Sequence, residues 1–527
     1  MGSPALPPRR LLQALVVGLA AAALFLLLAQ ARMPGDAAGL VAGLDRALDG
    51  TGPDTFWYHL AFAWVARGLA AALPWAGALG TLQVVAALAA GLAIPLAWLA
   101  LRRLGVGERG AAGAALLLAL SPGLVQHATI VEVHGLQLAA GLAALALVAR
   151  ARDAGPAGLA ALGLGVGLLV NLAHQTGPLL FPGLVLAAFW GAGARPLPDT
   201  WPGRAARFGA ASAGYLAALA LARLATDRLS PFPNIRAFED FAALTAMLQK
   251  PIGWSFLRDE LLVMLPVLLA CGALGAVGAL GLTIGRGAGA ERGEPGDDNG
   301  GDDDRPRARR DLARLGLVLV LVPWAFFLLF GERTEGGYFV GAAPGLVLLT
   351  GLFLDARRPA SPLPLVLLAL ASLLLTWRLA AEPGRAEANV LARARVAAVA
   401  ELLPAGGTVY ALQYNEHTLA GRGDALVEVS DAGALRAFVE EALVAPPSLD
   451  TAHLPGVLAA RTARRLARLE ADRAPVVVDW TWAPRTLHHD RATWRPYLDA
   501  IRAELDRGWE VTEHHGRWGT LLALRPR

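Results

Sequence analysis

An acidic side chain directly after the first apolar segment is the first candidate for chemistry in this sequence. The apolar segment Leu11–Ala31 is followed closely by Asp36, in the tripeptide Pro34-Gly35-Asp36. A carboxylate at the edge of a bilayer can serve as a general base toward a hydroxyl group. An aspartate in such a turn can also cap the next helix, so the residues alone leave both roles open.

A second acidic residue, Glu132, is flanked by Val131 and Val133. A carboxylate among apolar residues costs free energy unless it is paired or functional, so we expect Glu132 to act at a site. His127 and His134 lie on either side of it and would share one face of a continuous helix. Such a pair could bind zinc, but no third ligand follows at metal spacing, and we expect no metal.

Further polar side chains lie at the ends of apolar segments. Asp54 and His59 belong to the hydrophilic stretch that begins near Asp36, and Asn171, His174 and Gln175 separate two later apolar segments. These side chains could contact a substrate, or they could satisfy hydrogen bonds between helices.

Arg333 stands in a connection where arginine is otherwise scarce, and Tyr338 follows it. A guanidinium group binds a phosphate through paired hydrogen bonds, which suits a phosphate or a lipid headgroup. Pairing with Glu332 or Glu335 is the alternative role of this arginine.

The composition is that of a membrane protein. Hydrophobic residues make up 55% of the 527 residues and charged residues only 17%, against roughly 25% charged residues in soluble domains. The formal net charge of +4 gives no support for nucleic-acid binding. With the single cysteine Cys271, the chain cannot form an intramolecular disulfide.

Membrane-spanning helices need about 20 residues, and the apolar segments approach this length. We predict an α-helical polytopic fold with about eleven transmembrane helices, the first of them a retained anchor because it exceeds the length of a signal-peptide core. The segments are Leu11–Ala31, Gly77–Leu101, Ala111–Val125, Leu136–Ala149, Gly158–Ala173, Gly177–Gly191, Phe208–Leu224, Leu261–Ile284, Leu315–Phe330, Phe339–Leu354 and Leu363–Leu379.

Arginine clusters fall on alternate connections, which fixes the predicted orientation. Cytoplasmic connections of membrane proteins are rich in Lys and Arg. We therefore expect a multi-pass protein of the inner (plasma) membrane with a cytoplasmic N-terminus, a first outer loop at 32–76 and a disordered cytoplasmic loop at 285–311. The clusters are Arg9-Arg10, Arg102-Arg103, Arg150 with Arg152, Arg195 to Arg207, Arg305 to Arg314, and Arg357-Arg358.

The apolar segments stop after residue 381, which divides the chain into a transmembrane domain at 1–381 and a soluble domain at 382–527. Buried strands are predicted at Thr408–Leu412 and Val476–Trp480, a helix at Arg491–Arg507 and a hairpin at Trp509–Leu524. The alternation of the arginine clusters puts this α/β domain on the periplasmic or extracytoplasmic side.

The residues in these connections together resemble the motifs of the GT-C superfamily of polytopic glycosyltransferases. The nearest likeness is to the protein O-mannosyltransferase-like branch, with its GDSGEL-, HPPGYPL-, AEVYxLN- and NHxT-type motifs. Residues that resemble them, in this order, are Gly35 to Leu40, Gly52 to Tyr58, Val131 to Gln137 and Ala173 to Thr176, with Arg333 and Tyr338 as loose later matches. The sequence departs from the family at Gly39, which replaces an acid, at His134, which replaces a tyrosine, and in the HPPGYPL segment.

The resemblance implies a GT-C-like fold and a donor that is a polyprenyl-phosphate sugar, with no cofactor; a divalent cation has no support in the sequence. It implies that Asp36 is the general base, that Arg333 holds the donor phosphate, and that Glu132 and His174 shape the pocket. Asp54, His59, His134 and Tyr338 are the remaining candidates for contact with substrate.

The function predicted from these observations is an inverting membrane glycosyltransferase that transfers a sugar to an extracytoplasmic protein or glycan. Two alternatives stay open. One is a flippase or transporter of lipid-linked sugars, although transporter sites lie near the membrane midplane rather than at one face. The other is a non-catalytic scaffold of envelope-glycan assembly, which the departures from the family motifs would allow.

Overall fold

The structure is a computed structural model that describes residues 7–30, 37–49, 59–149, 154–174, 176–190, 200–229, 261–286, 304–330, 338–356, 362–380, parts of 390–403, 408–411, 426–429, 476–480 and 491–527. The chain forms two compact units. The helical unit comprises Met1–Ala29, Phe56–Ala72 and Thr81–Glu382, and the second unit comprises Gln30–Thr55, Leu73–Gly80 and Pro383–Arg527.

Helices dominate the chain up to residue 380. In order they are α1 (Pro8–Leu27), α2 (Ala37–Asp49), α3 (Leu60–Ala72), α4 (Gly77–Arg103), α5 (Glu108–Ala119), α6 (Pro122–Thr129), α7 (His134–Val148), α8 (Pro156–Ala173), α9 (Phe181–Trp190), α10 (Trp201–Leu229), α11 (Pro266–Arg286), α12 (Asp304–Phe330), α13 (Ala343–Ala356) and α14 (Leu363–Ala380). Short 3-10 helices occupy Pro74–Ala76, Gly177–Leu180 and Tyr338–Gly341.

Each of the apolar segments predicted to span the membrane is helical, which confirms the polytopic helical fold. Within the described residues, 4 helices are long and apolar enough to cross a bilayer, or up to 5 if α5 and α6 form one bent span. Several of the others are shorter apolar helices, among them α7, α13 and α14. The helix α3, in the predicted outer loop 32–76, is also apolar. Its 13 residues are fewer than the roughly 20 that a spanning helix needs.

The predicted span Ala111–Val125 is broken in two. Ser121 caps α6 by accepting the N–H of Leu124 on its hydroxyl oxygen, and Pro122 begins the helix, so α5 and α6 meet at 53°. The break leaves the carbonyl of Leu120 without an intrahelical partner. Ser372 and Thr376 of α14 donate their hydroxyls to this oxygen at 2.8 Å and 2.5 Å, which closes the gap in the hydrogen bonding.

Small residues allow α8 and α10 to approach closely. A Cβ added at Gly214 of α10 would overlap the carbonyl oxygen of Ala160, and one at Gly163 would overlap that of Ala211. Between apolar helices in a membrane, such close backbone approach supplies the packing that solvent exclusion supplies in water.

Contacts among arginine-bearing helix ends gather at one end of the helical unit, here named the arginine end. Glu108 at the start of α5 pairs with Arg10 at 3.0 Å and with Arg102 at 3.1 Å. Three other contacts belong to the same end: Arg103 to the carbonyl of Ala146, Arg207 to the carbonyl of Ala154, and Arg309 to Asp355 beside Gly107.

One predicted boundary is wrong. The cytoplasmic loop was expected at 285–311, but α12 begins at Asp304. Its first turns are rich in Arg and Ala, which favour helix, and Pro306 is tolerated in a first turn. Residues 287–303 lie outside the described part of the chain.

The second unit contains a mixed sheet with a helix, as predicted. Its strands are β1 (Thr408–Ala411), β2 (Leu426–Val429), β3 (Val476–Asp479), β4 (Trp509–Gly516) and β5 (Gly519–Pro526), in the order β2-β1-β3-β5-β4. β1 is parallel to β2 and β3, whereas β5 is antiparallel to β3 and β4.

Alternate residues of this sheet enter two separate cores. Val476, Val478 and Leu522 face Leu505 of α15 (Arg491–Gly508), together with Trp509. Val477 and Leu521 pack on the opposite side against Val399 and Leu403. Because both faces of β3 are covered, this strand was recognisable as a short apolar run.

Candidate active site

Four histidines and one glutamate meet inside the helical unit. His59 directly precedes α3, His127 lies on α6, Glu132 lies between α6 and α7, His134 begins α7, and His174 directly follows α8. His59, His127, Glu132 and His174 are buried, with 2% of His127 and 8% of Glu132 exposed, and His134 is partly buried. We call this group the histidine cluster.

The imidazole rings of the cluster contact one another directly. His59 stacks on His174 with ring centroids 4.5 Å apart, and His134 lies 5.5 Å from His174. His127 meets His134 edge to face at 5.1 Å. The cluster therefore joins residues from distant parts of the sequence into one continuous polar group.

Glu132 and His134 lie next to each other in the cluster. Oε2 of Glu132 lies 3.8 Å from Nε2 of His134 and accepts the N–H of Val133 at 3.3 Å. A carboxylate beside an imidazole nitrogen can accept a proton from a hydroxyl group or help to hold one on the ring. The pair can thus act as a base or as an electrostatic partner for a cation.

A chain of hydrogen bonds connects His134 with His174. Nδ1 of His134 lies 3.3 Å from Oε1 of Gln137, whose amide donates to Oγ1 of Thr176 at 2.6 Å. Oγ1 of Thr176 lies 2.9 Å from Nδ1 of His174. Gln137 and Thr176 are themselves buried, so they supply the partners that buried polar groups require.

Contacts with α8 and α10 fix the connection that follows His174. Tyr215 of α10 donates its hydroxyl to the carbonyl of Gly177 at 2.9 Å, and Asn171 donates to the carbonyl of Gly167 at 2.8 Å. Any side chain at Gly177 would overlap Val170 of α8. These contacts fix the turn that leads away from His174.

The histidine cluster lies at the opposite end of α8 from the arginine end. Arg207 contacts Ala154 just before the helix starts, and His174 follows its last residue. Since α8 has 18 residues, a rise of 1.5 Å each makes it about 27 Å long, close to the roughly 30 Å of a bilayer core. The cluster is therefore separated from the arginine end by about the thickness of a bilayer core.

Burial and ring contacts keep two of the histidines neutral. Both His59 and His174 lie in connections outside the helical spans. Burial, with a contribution from His134, lowers the pKa of His59 from its ordinary 6.5 to about 3. Burial, then His59 and His134, lowers the pKa of His174 well below that ordinary value.

Among the described residues, no three His, Cys, Asp or Glu side chains are placed to hold a metal ion. The histidines of the cluster contact each other through ring faces and edges instead. Together with the hydrogen bonds through Gln137 and Thr176, these contacts leave the cluster able to donate and accept hydrogen bonds.

The predicted site residues divide into two sets. Glu132, His59, His134 and His174 come together in the cluster. The rest are not described: Asp36, Asp54 and Arg333 lie outside the described residues, as does the side chain of Tyr338, whose backbone begins a 3-10 helix.

Sequence reasoning did not single out Gln137 and Thr176. Gln137 follows His134 by one helical turn, and Thr176 follows His174 by two residues. Both spacings are typical of local side-chain hydrogen bonds and could have indicated these residues.

Comparison with known proteins supports the fold. No family model and no curated protein matches the sequence. The chain is similar to ArnT from Cupriavidus metallidurans in its crystal structure bound to undecaprenyl phosphate, with 17% sequence identity, a TM-score of 0.55 and 97% of each chain covered. The two chains therefore share a fold. The predicted likeness to the O-mannosyltransferase-like branch stays a prediction.

Two other solved structures are more distant. The apo state of the same ArnT gives a TM-score of 0.40 at 15% identity, over 97% of each chain. The mycobacterial arabinofuranosyltransferase AftD, as its mutant R1389S, gives 0.46 at 15% identity and covers 100% of this chain but 42% of its own. Neither similarity is strong enough to support the assignment of the fold.

Proposed function

We propose that this protein is a membrane glycosyltransferase that takes a sugar from a polyprenyl-phosphate donor and transfers it to a protein or glycan. The observation that carries the proposal is the histidine cluster, which gathers Glu132, His134, His174 and His59 close to one end of a membrane-length helix. The likeness in fold to a protein whose crystal structure holds undecaprenyl phosphate supports it.

The position of the cluster suits a donor that is a lipid. A polyprenyl chain stays in the bilayer, and its phosphate and sugar lie at the interface, where buried polar groups can reach them. Burying this many polar groups among apolar helices costs free energy that packing alone does not repay. A functional role for the cluster accounts for that cost.

The reaction proposed is a single inverting displacement. A base removes the proton of the acceptor hydroxyl, whose oxygen attacks the anomeric carbon while the bond from that carbon to the phosphate oxygen breaks on the opposite face. Asp36 is the base that the family resemblance implies, and Arg333 is the corresponding phosphate ligand. His59 and His174, which burial keeps neutral, contribute hydrogen bonds rather than charge.

The orientation proposed puts the arginine end in the cytoplasm, because cytoplasmic connections are rich in arginine. The histidine cluster then faces the extracytoplasmic side, where a protein or glycan acceptor is available. The soluble domain predicted at 382–527 binds or positions this acceptor.

The test is incubation of the purified protein, reconstituted in vesicles, with radiolabelled polyprenyl-phosphate sugars and an envelope extract as acceptor. Transfer is expected to move the label from lipid to a polymeric acceptor and to leave free polyprenyl phosphate. If the label instead crosses sealed vesicles on an intact lipid, the protein is a transporter. If it does neither with any sugar tried, the scaffold role is favoured.

A further inference from the structure

Two donors of one residue converge on a single nitrogen of His174. The backbone N–H of Thr176 donates to Nδ1 at 3.1 Å. The hydroxyl oxygen of Thr176 lies 2.9 Å from the same atom. A backbone N–H can only donate a hydrogen bond, so Nδ1 must accept it and is therefore the unprotonated nitrogen of the ring.

The direction of the Thr176 O–H bond is determined by a second contact of its oxygen. The amide of Gln137 donates to Oγ1 at 2.6 Å, which leaves the hydroxyl hydrogen to point toward Nδ1 of His174. Gln137 therefore sets the direction of the threonine hydroxyl, and the threonine sets the tautomer of the histidine.

A neutral imidazole with an unprotonated Nδ1 carries its hydrogen on Nε2. Both hydrogen bonds of the His174 ring use Nδ1, and Nε2 has none within the described part of the chain. Only 3% of His174 is exposed, so the ring is held in place while its Nε2 hydrogen remains for an acceptor from outside the described residues. A ligand oxygen can be that acceptor.

We propose that Thr176 is a positioning residue that holds His174 as a neutral imidazole, whose Nε2–H donates to an oxygen of the phosphate-sugar group of the lipid donor. The identity of the ligand rests on the proposed function, whereas the tautomer does not.

The surroundings of His174 agree with a neutral donor. The titratable groups that face it are His59, stacked on its ring, and His134, with Glu132 next to His134. A proton added at Nδ1 would oppose the N–H of Thr176 and would charge a buried ring beside two other imidazoles. A neutral Nε2–H offers a hydrogen bond without that penalty.

The first experiment is nitrogen NMR of the full chain, labelled with ¹⁵N-histidine and reconstituted in nanodiscs without ligand. The His174 signals are assigned by their loss in His174→Gln. Wild type and Thr176→Ser are expected to show His174 as the neutral Nε2–H tautomer from pH 8 to pH 5. Thr176→Val, which removes one of the two donors to Nδ1, is expected to show a second tautomer or protonation by pH 5.

A wild-type His174 protonated on Nδ1, or charged at pH 7, would overturn the tautomer assignment. A Thr176→Val protein with the wild-type signals would overturn the role of the hydroxyl. Thr226→Val is the matched control, since its hydroxyl donates only within α10, to the carbonyl of Ala222, and its His174 signals should match those of wild type.

The second experiment adds a polyprenyl phosphate to the same samples. The Nε2 signal of His174 is expected to shift, and binding to Thr176→Val should weaken about 2- to 10-fold, the range for one hydrogen bond. An unchanged Nε2 signal at saturating ligand would reject this ligand for His174 while leaving the tautomer result in place. Failure of sugar transfer by wild type, with the expected NMR result, would reject the proposed function alone.

Discussion

Glu132 and its neighbour His134 provide the candidate base within the histidine cluster. The two side chains lie 3.8 Å apart and are about nine-tenths buried. If the resemblance to the GT-C family holds for Asp36, this pair supports the site electrostatically. If it does not, Glu132 is a described carboxylate that can take a proton from an acceptor hydroxyl.

Substitutions at Asp36 and Arg333 test the roles of base and phosphate ligand that the resemblance implies. Asp36→Asn is expected to lower turnover by roughly 10²- to 10⁴-fold, the usual contribution of a general base, with little change in donor binding. Arg333→Lys should instead weaken donor binding, because a paired hydrogen bond to phosphate becomes a single point contact. Both are measured by transfer of labelled sugar and by binding of the lipid donor.

Asp45→Asn, on α2, is the control and should leave turnover near that of wild type. If Asp36→Asn keeps turnover within about a factor of two while Glu132→Gln abolishes it, the base is Glu132, and the role implied for Asp36 is wrong.

Protonation of the buried histidines makes stability depend on pH. His59 has a pKa of about 3 in the folded protein and an ordinary value of 6.5. Between these values the unfolded chain binds more protons than the folded one, so the free energy of unfolding falls as the pH drops below 6.5. Above pH 6.5 this residue contributes no pH dependence.

Thermal unfolding in detergent between pH 8 and pH 5 measures this effect. Wild type should lose stability below pH 6.5, and His59→Asn should lose less, because one depressed pKa has been removed. His515→Asn, an exposed histidine of β4, is the control and should follow wild type. Equal pH dependence of His59→Asn and wild type would contradict the neutral buried ring.

At the scale of elements, the site is built from connections at helix ends. Glu132 lies between α6 and α7, His59 precedes α3, and His174 follows α8. The helices bring these connections together, and the close approach of α8 to α10 fixes the turn after His174 through Tyr215 and Gly177. The packing of these two helices should therefore control both stability and the site.

Gly214→Ala tests this packing. The added methyl would overlap the carbonyl of Ala160, and overpacking typically costs about 1–3 kcal/mol, so the unfolding temperature should drop. Gly209→Ala, in the same helix, meets no described atom within 4 Å and should be neutral or stabilising by up to about 1 kcal/mol. Equal unfolding temperatures for the two variants would contradict the close contact of α8 with α10.

Much of this element order could be read from the sequence. The helices at the apolar segments and the buried strand Val476–Asp479 could be predicted, because periodicity and length are local properties of a sequence. The bend between α5 and α6 was missed, although Ser121-Pro122 indicates a helix start. The contact of His59 with His174 joins residues over a hundred positions apart, and no local pattern can predict such a pair.

The whole molecule combines an arginine-rich end with a histidine cluster about one bilayer thickness away. Contacts at Glu108 and Asp355 gather several of the predicted arginine clusters at this end. This arrangement agrees with the alternation from which the topology was predicted, and the side of the membrane on which the arginine end lies stays a prediction.

Reporter fusions determine that side. A fusion at Gly296 should report the cytoplasm, and one at Ala425 should report the outside, because arginine-rich connections are retained in the cytoplasm. Reversed signals at both positions would turn the histidine cluster toward the cytoplasm and exclude an extracytoplasmic acceptor.

Release of free polyprenyl phosphate from a labelled polyprenyl-phosphate sugar, in vesicles that contain the purified protein and an envelope acceptor, tests sugar transfer most directly. Wild type is expected to release one polyprenyl phosphate for each sugar that reaches the acceptor, and Asp36→Asn is expected to slow this release by roughly 10²-fold or more. Release at the wild-type rate by Asp36→Asn, Glu132→Gln and His174→Gln alike, or no release by wild type with any polyprenyl-phosphate sugar, would contradict a glycosyltransferase site at the histidine cluster.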